Sequence, residues 1–66
     1  MRDLLLTSTL AHAKGHVDKH IANIEVYLAH PVGIGEHPDV MSALEAEVSA
    51  ISHWHDQLEV IEKYIE

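Results

Sequence analysis

Both prolines and two of the three glycines of this chain fall inside His30-Pro31-Val32-Gly33-Ile34-Gly35-Glu36-His37-Pro38. Nothing comparable interrupts the stretches on either side, so the chain divides into two long segments and one turn. A residue that precedes proline is pushed out of the α region, which stops a first helix near Ala29. Pro38 suits the first position of a second helix, where its missing N–H costs nothing, and Asp39 then falls in the first turn. His37 becomes the cap, although Ser, Thr, Asp or Asn are the usual choices. The expected organisation is a single domain over 1–66: a helix over about 3–29, a loop over 30–37 and a helix over 38–65. The start of the first helix shifts to Ser8 if Thr7-Ser8-Thr9 frays.

Within the first segment Leu6, Leu10, Ala13, Val17, His20, Ile24 and Tyr27 step alternately by four and three, the spacing of a bundle seam. The second segment carries Leu44, Glu47, Ile51, Trp54, Leu58, Ile61 and Ile65, with Val48 and His55 widening it into a stripe. Strand-like alternation is absent, so the class is all-α and the architecture an antiparallel helical hairpin. A chain of 66 residues without cysteine has neither the interior nor the disulfides to stand easily alone. Each stripe is wider than one neighbouring helix covers, and Leu4, Leu5 and the Ala43–Ala50 edge lie outside it. Two hairpins pairing into a four-helix bundle resolve both problems, so a homodimer is expected.

Three polar residues interrupt the apolar stripes: His20, Glu47 and His55. With the turn centred near residue 34, residue i faces about residue 68 − i, to within a turn, which brings His20 beside Glu47. The favoured reading is a structural hydrogen bond that fixes the register of the hairpin. A second reading is a metal site. His16 and His20 are four apart on one helix edge, and Glu47 completes a two-histidine, one-carboxylate set suited to zinc or non-haem iron. The di-iron pattern of bundle proteins is missing, since neither helix contains Glu-x-x-His. A third reading is a pH response, with His55 buried among apolar residues and the seven histidines able to offset the net charge of −7.

Four Lys and Arg against eleven Asp and Glu speak against direct binding of nucleic acid or an anionic membrane. Residues 1–13 end in Ala11-His12-Ala13, like a signal cleavage site, but Asp3 and the Thr-Ser-Thr run break the pattern. No stretch reaches the ~18 apolar residues of a membrane span, and a cytoplasmic protein is expected. Gly33-x-Gly35 follows a helix and lacks a third glycine, so it is no nucleotide fingerprint. Ser42, Ser49 and Ser52 read as surface helix residues, Trp54 as core, and Glu59–Lys63 as an exposed i, i+4 pair. Gly15, in the middle of a helix, either permits close approach by another chain or is a tolerated defect, and the defect is the favoured reading.

The run from Ile24 through His30-Pro31-Val32-Gly33-Ile34-Gly35-Glu36-His37-Pro38-Asp39, continued by His55-Asp56-Gln57-Leu58-Glu59, resembles small uncharacterised helical proteins of marine cyanophages and related bacteria. The resemblance spans about two-thirds of the chain and implies a helical hairpin, a phage-related source and the host cytoplasm. It carries no catalytic residues. It makes Val32, Ile34, Glu36 and His37 the candidate contact with an unidentified protein partner, because loops tend to carry function. The sequence therefore leads to a small, acidic, non-catalytic accessory module with no expected cofactor. The alternatives are a zinc- or iron-binding bundle using His16, His20 and Glu47, and an acidic decoy of a nucleic-acid-binding partner.

Overall fold

The computed structural model describes residues 1–30 and 39–65, and the candidate contact residues Val32, Ile34, Glu36 and His37 lie outside that range. The described residues form two helices, α1 (Arg2–Ala29) and α2 (Val40–Tyr64), with no strand among them. They run antiparallel. The Arg2 guanidinium Nη2 donates to the Ile65 carbonyl oxygen at 2.7 Å, tying the start of α1 to the end of α2. A cation there also complements the negative pole of α2. His20 faces Glu47, as the expected register requires.

The helix ends follow local chemistry. His30 sits outside the α region (φ −136°, ψ 66°), which a following proline disfavours, while its N–H still donates to the Val26 carbonyl. The second helix starts later than position 38. Asp39, expected in the first turn, is instead the N-cap: its carboxylate accepts the Ser42 N–H at 2.9 Å and the Ser42 hydroxyl at 2.6 Å. Those two bonds, the hydroxyl's first, hold the Asp39 carboxyl below the usual aspartate range. Ser42 is thus half of a cap and not a plain surface residue; a short carboxylate satisfies an otherwise unpaired amide better than an imidazole does. At the other end α1 is continuous from Arg2, with the Thr9 hydroxyl donating to the Leu5 carbonyl at 2.7 Å, so the Thr-Ser-Thr run stays helical.

The seams meet face to face. Leu6, Leu10, Ala13, Val17, His20, Ile24 and Tyr27 of α1 are buried or half-buried, as are Leu44, Glu47, Ile51, Trp54, Leu58 and Ile61 of α2. Ile65, expected to extend the second seam, is exposed because α2 has ended at Tyr64. Only Ala13 and Ile61 are buried among the described residues, and the molecule is 47 Å long but 16 Å across. One seam is all the interior that two helices create.

The two flanks of the seam differ. In an antiparallel pair, positions just before a seam residue on both helices lie on one side, and positions just after on the other. On the first side His16, Asn23, Ala43, Ala50 and Gln57 are half-buried. The Ala43–Ala50 edge, expected to lie outside the hairpin contact, is therefore part of it: alanines take little room, and the longer side chains of α1 fold across. Half-buried Val40, four residues before Leu44, continues the seam of α2, and on the second side Ile21, Leu28, Met41 and Val48 are 45–72% exposed. His55 lies on this open flank too. The expectation of a buried His55 is corrected, because the seam narrows to two positions per heptad and leaves Val48 and His55 facing outward.

Gly15 is exposed, and a Cβ placed on it meets nothing within 4 Å. Gly15→Ala should raise stability by about 0.5–1 kcal/mol through helix propensity alone. Chemical denaturation of both proteins checks this; a loss of stability would mean that Gly15 admits a close neighbour.

Candidate functional site

Two clusters of polar and aromatic side chains lie along the seam. The first joins α1 to α2 at mid-length. His20 Nδ1 lies 2.5 Å from Glu47 Oε2, and the Asn23 amide donates to both Glu47 oxygens at 3.2 Å. An ionised carboxylate only accepts, so the proton sits on His20 Nδ1, which donates. Seam positions 20 and 47 deliver these groups, while Asn23 arrives from one turn further along α1. The His20 and Glu47 side chains are 17% and 13% exposed, so the carboxylate has largely left water and needs its three bonds. The His20 bond is the main cause that holds the Glu47 carboxyl below the ordinary range; burial opposes it and the Asn23 amide assists. Among the described residues, no buried side-chain polar atom lacks a partner.

The second cluster is aromatic. The His16 ring stacks on Trp54, with centroids 4.0 Å apart and planes 8° from parallel. His12 and His53 meet the same indole edge-on at 5.4 and 4.9 Å. Trp54 is a half-buried seam residue, as its spacing implied, but imidazoles form much of its surroundings. Burial, followed by the nearby His12, Lys19 and His20, depresses the pKa of His16 and favours its neutral form.

The structure brings His20 and Glu47 together and leaves His16 apart from them. The His16 and His20 rings are 6.4 Å apart and nearly parallel, with His16 committed to the indole face. Among the described residues, no three His, Asp or Glu side chains converge as a metal site. His55 bonds Glu59 at 3.0 Å, so Glu59 serves the imidazole, while the Lys63 ammonium lies 5.3 Å from the centre of the Tyr64 ring. Asn23 and Arg2 escaped the sequence reading. Asn23 had a signal, since it is three residues from His20 on the same edge; Arg2 had none beyond the register.

A third feature is a recess of about 380 Å³ on the outer side of α2, lined by Met41, Leu44, Glu45, Val48 and Ser49. It is mostly apolar and continues the open flank. Among the described residues, no helix is long and apolar enough to cross a membrane. In comparison with known proteins, the chain matches no family model, no curated protein and no solved structure.

Proposed function

We propose that this hairpin is one half of a homodimeric four-helix bundle and acts as a small, acidic, non-catalytic interaction module of the cytoplasm. The observation that carries this reading is the open flank. Ile21 and Val48 stand level with each other across the hairpin, as do Leu28 and Met41, and all four are exposed. Four large apolar side chains on one side of a small protein form a patch that normally has a partner.

A second copy fits the pattern of charge. About a two-fold axis parallel to the helices, Ile21 lies over the partner's Val48 and Leu28 over the partner's Met41. Lys14 then faces the partner's His55–Glu59 pair. The His20–Glu47–Asn23 group serves this reading as the device that sets register, since a slip of one turn would strand the carboxylate.

Sedimentation at micromolar concentration should give about twice the 7.4 kDa chain mass. A folded species at the single-chain mass would reject the bundle.

A further inference from the structure

We infer that His12 and His16 form a two-imidazole chelate for a divalent transition ion, copper(II) in preference to nickel(II) or zinc(II). The inference does not depend on the dimer. His12 and His16 are one turn apart on the same edge of α1, which fixes their backbones relative to each other. Their ring centroids are 4.7 Å apart and their planes 71° apart. Two adjacent imidazoles on one ion, with metal–nitrogen bonds of about 2.0–2.1 Å, place their ring centroids about 4.5–5.2 Å apart. The next pair along the helix does not meet this condition. His16 and His20 are 6.4 Å apart, and His20 Nδ1 is taken by Glu47. Of these two pairs, only the upstream one meets the spacing.

The surroundings agree. His12 and His16 border an open recess with Ala11, Gly15 and Lys19, and Gly15 has no side chain to obstruct an ion and its waters. The indole covers one face of His16, whereas metal ligation uses a nitrogen in the ring plane. Ligation requires neutral imidazole, the form that burial and neighbouring positive charge favour at His16. Lys19 repels cations locally, so affinity rests on nitrogen donation by the two imidazoles. That condition, together with two nitrogen donors and open positions for water, favours copper(II), which heads the affinity order and accepts a tetragonal set.

Trp54 reports on the site because it stacks on His16. Titrating the untagged full chain with copper(II) chloride at pH 7.5, in a buffer that does not bind metal, should quench the indole fluorescence saturably at one ion per chain. His12→Gln and His16→Gln should each weaken that binding at least tenfold, whereas His53→Gln and His55→Gln should leave it within twofold. Circular dichroism establishes that each variant is folded. Electron paramagnetic resonance of the native chain at substoichiometric copper should show coupling to two imidazole nitrogens, a readout that needs no variant. Quenching that never saturates, persists in His12→Gln or disappears in His53→Gln would overturn the assignment, as would a spectrum with any other number of imidazoles.

Discussion

The double variant Ile21→Glu/Val48→Glu is expected to sediment as a single chain and to bind its own kind at least a thousandfold more weakly than the native protein. In an isolated hairpin both positions already face water, and surface substitutions of this type change stability by only about 0.5 kcal/mol. In a two-fold bundle each substitution occurs twice, and carboxylates from the two chains are pressed together without cations to meet them. Several uncompensated charges in an interface cost about 4 kcal/mol or more, which is about a thousandfold in the dissociation constant. The native chain should also melt at a temperature that rises with concentration, a dependence the variant loses. Analytical ultracentrifugation and melting at two concentrations check this. Equal mass and equal melting behaviour in both proteins would leave the open flank without a role in assembly.

The second large effect lies inside the hairpin. His20→Leu removes the proton donor of the shortest bond to Glu47 and leaves a largely buried carboxylate with Asn23 alone. Losing a charge-assisted bond of this kind costs about 2 kcal/mol, which in a chain of this size lowers the melting temperature by about 10 °C. Glu47→Leu alone should cost less, because an imidazole and an amide left without the carboxylate can turn to water. The double variant His20→Leu/Glu47→Leu should recover most of the loss, since apolar groups of similar size then meet across the seam. A double variant as damaged as His20→Leu would show that the pair does more than satisfy itself. Acidity provides a second check. The Glu47 pKa is lower in the folded chain than in the unfolded one, so its contribution is complete above the ordinary glutamate range. That contribution is lost as the pH falls through the folded-state value, and the gap between native and His20→Leu proteins should narrow there.

Most of the fold was legible because a bundle seam depends on spacing alone. The steps from Leu6 to Tyr27 and from Leu44 to Ile61 identify the inward faces whatever the flanks do. The His20–Glu47 contact followed from the same arithmetic, since each is the polar residue of its seam at a common level. What the sequence left open depends on side-chain size and rotamer. Val48 and His55 are apolar or aromatic next to a seam, and only the lean of the hairpin toward its alanine-lined side places them outside. His16 stands at a spacing that suits either His12 or His20, and the choice between them was made by a flat indole arriving from α2. The start of α2 was misplaced by two residues because proline competes with aspartate for the same signal, and the carboxylate bond to Ser42 decides it.

The clasp between Arg2 and Ile65 keeps positions 2 and 65 at one pole of a rod 47 Å long. The ends of α1 and α2 that border residues 31–38 stand at the other. Anything fused before Arg2 and anything fused after Ile65 would leave the rod from the same tip. Donor and acceptor dyes placed at those two sites would transfer energy almost completely, and a pull applied between them would unzip the hairpin one rung at a time instead of shearing it along its length.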